Sequence, residues 1–238
     1  MERYLDRNLS ARERAEDLLS RMSIEEKLAQ TGCVLVPAGR EKEACAQLEN
    51  GIGEISTLEV RMLESVEEVQ RFQRTIQKAV MDNSPHHIPA IFHMEGLCGG
   101  FIQGNTSFPS GIARASSWDP ELEEKIGSIV ARQENAAGIT HTLAPVLDIS
   151  RDPRMGRQGE SYGEDPTLAA ALGAAYTKGL QEETVTCPLY EKGEQIAGTG
   201  ERRNEGVAKH FMGFHNSEGG IHGAGSHTPP RMMREIYG

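Results

Sequence analysis

Apolar residues along this chain recur first at helical and then at strand spacing. Ala15, Leu18, Leu19 and Met22 lie three or four apart, the period of one helix face. Ser10 with Glu13 and Ser23 with Glu26 each read S-x-x-E, where hydroxyl and carboxylate satisfy orphan amides reciprocally, so two short helices are expected to open the chain. The pattern then shortens. Cys33-Val34-Leu35-Val36 stops at Pro37, and 51–57 is Gly-bounded and partly β-branched; both read as strands around a polar helix near 40–50. Val66, Val69, Phe72, Ile76 and Val80 predict an amphipathic helix over 65–81 that ends before Pro85. Residues 88–95 read as a buried strand, and 119–137 as a helix with Asp119 as cap and Pro120 in its first turn. Then come a strand over 139–146, an Ala-rich helix over 166–180 and a final strand over 207–214. The polar, Gly-rich stretch 182–205 has little periodicity and reads as an exposed loop or insertion.

Apolar strands separated by helices imply parallel pairing through βαβ crossovers. A nucleotide-binding doubly wound sheet would carry a glycine-rich phosphate turn after its first strand, whereas residues 37–40 read Pro-Ala-Gly-Arg. Polar clusters instead follow several strands: His93 with Glu95, then 148–165, then Lys209 with His210, then His215 to His227. Function collected at the C-terminal ends of many parallel strands is the habit of a βα barrel. The expected fold class is therefore α/β, a (β/α)8 TIM-barrel-type domain. Such barrels take about 250 residues, and the pattern over residues 1–238 supplies only the first five or so βα units.

Composition narrows the function classes. Lys and Arg number 25 against 35 Asp and Glu, a formal charge of −10, and no basic run offers the face that phosphate contacts require. No nucleic-acid partner is expected. No stretch approaches the ~18 consecutive apolar residues of a membrane span, so no membrane partner is expected either. Cys33, Cys45, Cys98 and Cys187 are far apart, with no C-x-x-C, and read as free thiols of a reducing compartment. The charged start Met1-Glu2-Arg3 lacks a signal-peptide core, which makes a cytoplasmic location the expectation.

Chemistry concentrates in residues 148–165, which hold three Arg and five carboxylates directly after an apolar strand. A guanidinium fork makes bidentate bonds to carboxylates and can also fix a ligand's neighbouring hydroxyls; a structural ion-pair network locking a long loop would look the same in sequence. Phe108-Pro109-Ser110-Gly111 through Trp118-Asp119, Ala144-Pro145-Val146-Leu147-Asp148, the block from Gly156-Arg157 to Glu164-Asp165-Pro166, and Lys209-His210-Phe211 together resemble, in order and spacing, the barrel domain of glycoside hydrolase family 3. The resemblance runs from roughly residue 10 to the end. It implies that a terminal sugar is held by Glu95, Arg157, Lys209 and His210, the carboxylate accepting from a vicinal diol while the cations donate to the same oxygens. It also implies small β-glycosides or oligosaccharides as ligands, no cofactor, and hydrolysis of terminal non-reducing β-D-glucosyl or β-D-xylosyl residues by a retaining mechanism.

Departures from the family pattern matter. Relatives usually carry Asp where this chain has Glu95, an extension of about one bond length that bears on sugar preference, and Cys98 stands where many have His. The family's nucleophile lies in a Ser-Asp motif well past the Lys-His pair and is expected beyond Gly238, as are the later barrel strands. One branch takes its acid/base from a His in a Lys-His-Phe-Pro-Gly-His-Gly loop; here the loop reads Lys209-His210-Phe211-Met212-Gly213-Phe214-His215. The chain resembles the other branch, whose acid/base comes from a following C-terminal domain. The chain alone is thus expected to be inactive, the alternative function being a catalytically silent sugar-binding or interaction protein. Five strands cannot close an eight-stranded barrel, so oligomerisation or aggregation through open edges is expected.

Weaker constellations complete the reading. His86, His87, His93 and Glu95 suggest a metal, yet H-x-x-x-H and H-E-x-x-H spacings are missing from that run, and no metal is expected. His215, His222 and His227 sit in a Gly-rich stretch that resembles the family's pocket-entrance loop. Trp118, just before a helix start, is expected in the core, with a sugar-stacking platform as the alternative.

Overall fold

The computed structural model describes residues 2–182, 185–186, 201–202 and 204–238. Both predicted capping boxes form: Ser10 and Glu13 start α1 (Ala11–Arg21), and Ser23 and Glu26 start α2 (Ile24–Ala29), each serine oxygen accepting the glutamate N–H while the carboxylate accepts the serine N–H. There follow β1 (Cys33–Leu35), α3 (Glu41–Cys45), β2 (Glu54–Ser56), α4 (Val66–Asn83) and β3 (Ile91–Met94). A short α5 (Gly111–Ala115) precedes α6 (Pro120–Ala136), whose first turn is closed by the Asp119 carboxylate accepting from Leu122 N–H. Next are β4 (His141–Thr142), α7 (Pro166–Glu182), an antiparallel pair β5 (Val185–Thr186) and β6 (Glu201–Arg202), and β7 (Glu205–Gly206). The expected loop over 182–205 lies largely outside the described residues.

Five strands pair in parallel in the order β1-β2-β3-β4-β7. Each strand lies beside its predecessor in this sheet, whereas a doubly wound sheet reverses direction at a switch point. Sequential parallel order is what successive βα units of a barrel produce. Register sorts the faces: Val34, Ile55 and Phe92 stand side by side and pack with Val69, Phe72, Ile76 and Val80 of α4 into the main core. The opposite face carries Cys33, Glu54, His93 and His141, aligned through the same ladders. A second core joins Ile126 and Val130 of α6 to Tyr176 and Leu180 of α7. These two helices touch backbone to backbone, because a Cβ on Gly127 would overlap the Tyr176 carbonyl and one on Gly179 the Glu124 carbonyl.

Two strands differ from expectation. The ladder of β4 ends at Thr142, well short of 146, since Pro145 has no N–H to donate. The last strand pairs at Glu205–Gly206 and touches again only where Lys209 bridges to Val146. It does not reach 214: Gly213 takes φ 84° and turns Phe214 into a single helical turn. No helix among the described residues is long and apolar enough to cross a membrane.

Candidate functional site

The ends of β3, β4 and β7 bring three loops to one place. β3 delivers Glu95 immediately after Met94. Lys209 is held at the end of β7 by its own N–H donating to Pro145 O and its carbonyl accepting from Leu147 N–H. Lys209 Nζ donates to Glu95 Oε2 at 2.5 Å across 114 residues of sequence. Beside it, His210 donates its backbone N–H to Asp148 Oδ1 at 3.2 Å, and its ring Nδ1 lies 2.7 Å from Asp148 Oδ2. A buried carboxylate there can only accept, so Nδ1 carries the proton. The lone pair on Nε2 then accepts from Arg157 Nη2 at 3.3 Å.

Arg157 also donates to both Glu160 oxygens from one edge of its guanidinium, Nε to Oε1 at 2.7 Å and Nη2 to Oε2 at 2.6 Å. Those bonds hold the Glu160 carboxyl below the usual carboxylate range, with the positive charges of Arg157 and Lys209 adding to them. Phe214 lies under the cluster, its ring 5.3 Å from the Arg157 guanidinium carbon and 4.4 Å from the His210 ring. One face of both groups is thereby covered, and their remaining donors are set in one orientation. The Lys209–His210 peptide is cis. Behind these groups, burial pushes the His215 imidazole below its ordinary pKa, opposed by Asp148 at 3.7 Å.

A buried network holds the Glu95 loop from behind. Arg114 pairs with Glu123 at 3.0 Å and donates from Nη1 to the carbonyls of Leu97 and Pro109. Tyr162 OH donates to the same Glu123 at 2.6 Å, and Tyr176 OH donates to Gly96 O at 2.7 Å. The long loop after β4 closes on itself where Ser150 N–H meets Gly163 O and Gln158 reaches Asp152 O.

The four sequence-derived positions, Glu95, Arg157, Lys209 and His210, therefore share one cluster. The 148–165 carboxylates divide: Asp148 and Glu160 face it, Asp152 forms a surface pair with Arg154 that holds its carboxyl down at about 2, and Asp165 caps α7. Glu160 was findable from its three-residue spacing to Arg157; Phe214, reached by an unsignalled turn, was not. His86, His87, His93 and Glu95 do not converge, since His86 faces Glu26, His87 faces Met81 O, and His93 faces Glu54. Trp118 is not in the core: with φ 54° between α5 and α6 it points outward and is 69% exposed. Nor does His215 line an entrance; it is buried behind Asp148, while His222 meets Phe214 edge-on and His227 pairs with Glu218 on the surface.

Residues 23–238 match the family model described as glycosyl hydrolase family 3 N terminal domain. A beta-xylosidase of Formosa agariphila is 38% identical over 161 residues, 63% of this chain and 20% of that protein. Among solved structures, a β-glucosidase of Erythrobacter marinus superposes with a TM-score of 0.83 at 28% identity, covering 99% of this chain and 30% of that one. A β-glucosidase of Listeria innocua, solved in complex with isofagomine, superposes at 0.68 and 27% identity over 89% of this chain and 27% of that one. The chain thus spans a fifth to a third of the length of these relatives.

Proposed function

Because this chain belongs to glycoside hydrolase family 3, matching its N-terminal domain, we propose that it is the sugar-gripping part of a retaining β-glycosidase acting on terminal non-reducing β-D-glucosyl or β-D-xylosyl residues. Glu95 accepts from two neighbouring hydroxyls of the terminal ring, Arg157 and Lys209 donate to oxygens on the same ring, and His210 accepts a ring hydroxyl at its Nε2. The observation that carries this reading is the convergence of an acid, two cations and an imidazole from three separate loops onto one rigid floor. In the free protein their unused donors and acceptors satisfy one another, and a vicinal diol replaces that internal pairing with geometry of the same kind.

Catalysis needs a carboxylate held at the anomeric carbon rather than against the ring hydroxyls. Here Glu95 is tied to Lys209, Glu160 to Arg157 and Asp148 to His210. That pairing suits binding and orientation, and it supports a nucleophile and acid/base supplied by sequence outside these 238 residues. The catalytically silent sugar binder is the corresponding second reading for the chain on its own.

The test is to titrate the 238-residue chain with isofagomine, glucose and xylose by calorimetry. Saturable binding should be lost in Arg157→Ala and Lys209→Ala, and undiminished binding in both variants would overturn the assignment. Aryl β-glucosides and β-xylosides should not be turned over. Turnover abolished by Asp148→Asn or Asp152→Asn would place the nucleophile inside this chain.

A further inference from the structure

On the sheet face opposite the main core, we propose a binding site for one divalent cation of the zinc class, held by Cys33 Sγ, a His93 ring nitrogen and the Glu54 carboxylate. The ladders put these residues there: Cys33 is in register with Glu54, and His93 with Ser56, two residues along the same face. Cys33 Sγ lies 3.9 Å from His93 Nε2, and Glu54 Oε2 lies 3.0 Å from His93 Nδ1. One donor atom from each of the three residues falls within 4.8 Å of the others. Sulfur and nitrogen ligands of one tetrahedral zinc sit about 3.6 Å apart, given bonds of about 2.3 and 2.0–2.1 Å. Closing the site keeps Cys33 Sγ beside His93 Nε2 and requires the Glu54 carboxylate to turn from Nδ1 toward that same side of the ring.

A second observation points the same way. His141, in register with His93 on the neighbouring strand, holds its Nδ1 4.0 Å from Glu54 Oε1. That atom is buried with no hydrogen-bond partner among the described residues. An unsatisfied buried nitrogen is costly, and a shared cation would give it a partner as fourth ligand. A thiol, imidazoles and a carboxylate favour zinc, or cobalt in its place, over magnesium or calcium, which take oxygen. The ion would bind β1, β2, β3 and β4 together, beneath the loops that carry Glu95 and Asp148. This site does not depend on the sugar assignment, since it uses the strands themselves and none of the four sugar-facing residues.

Titration of the reduced, metal-free 238-residue chain with Co2+ tests the proposal. One equivalent should produce a thiolate-to-cobalt charge-transfer band in the near ultraviolet together with the visible bands of four-coordinate cobalt, and Zn2+ should displace it. Added Zn2+ should also raise the melting temperature, as any ligand of the folded state does. Cys33→Ser should abolish the charge-transfer band at unchanged circular dichroism, and Cys45→Ser/Cys98→Ser/Cys187→Ser should keep it. His141→Ala, which removes the proposed fourth ligand, should weaken Zn2+ binding by at least the roughly 10- to 100-fold lost with an outer-shell partner. Absence of the band in the parent chain, or its persistence in Cys33→Ser, overturns the site.

Discussion

Glu134 lies fully buried in α6, where Thr142 Oγ1 and Asn204 Nδ2 both donate to its Oε2. Burial outweighs those bonds and pushes its carboxyl up to about 8. Unfolded, the group ionises above 4.5; folded, it stays protonated until about pH 8. The folded state thus binds the extra proton, and the stability it contributes is complete below 4.5 and is lost as pH rises from there to about 8. At pH 7 the loss is on the order of 3 kcal/mol. Glu134→Gln should match the parent in thermal melts near pH 4.5 and exceed it at pH 8; a parallel decline in both would refute this. Arg114 is the reverse case, a buried cation whose removal strands the Glu123 carboxylate, and Arg114→Met should cost about 3–5 kcal/mol in denaturant titrations. At this scale the sequence was uneven. Arg157 and Lys209 were legible from their motifs, but one of the two partners of Glu134, Asn204, is 70 residues away and leaves no local mark.

Among the elements, those with a local signal were read well: the serine caps, the spacing of Val69, Phe72, Ile76 and Val80, and Pro120 at a helix start each act within a few residues. Misjudged were segments whose limits depend on something other than hydrophobic pattern. Pro145 and Gly213 cut two strands short, and α5, five residues and little more than one turn, was not read at all. The contact of α6 with α7 was also invisible, because a glycine in an Ala-rich helix does not announce which backbone it touches. Gly179→Ala would drive its Cβ into the Glu124 carbonyl, and should destabilise by about 1–3 kcal/mol, measured by urea unfolding. An unchanged midpoint would mean that the helices can separate at no cost. Ser23→Ala, removing one capping box, should cost about 1 kcal/mol in the same assay.

For the molecule as a whole, the succession of strands and helices was enough to anticipate a barrel-type order, since parallel neighbours in chain order admit few topologies. What the order could not say was which strand positions face inward together, and so the row of Cys33, Glu54, His93 and His141 was missed. Among the described residues β1 and β7 each have one strand neighbour in the main sheet, and Leu35 and Ile91 are exposed on the coreless face. The 26.1-kDa chain should therefore elute from size-exclusion columns above its monomer mass; a sharp monomer peak would count against open edges. The reach from Glu95 to Lys209 has a kinetic corollary. Contacts so far apart in sequence form late, since the entropy of closing a long loop must be met before they return anything. During synthesis β1 to β3 can pack on α4 while Lys209 is still untranslated, so the cluster of Glu95 with Lys209 forms after that packing, and a nascent chain arrested before residue 209 would be folded in part yet lack it.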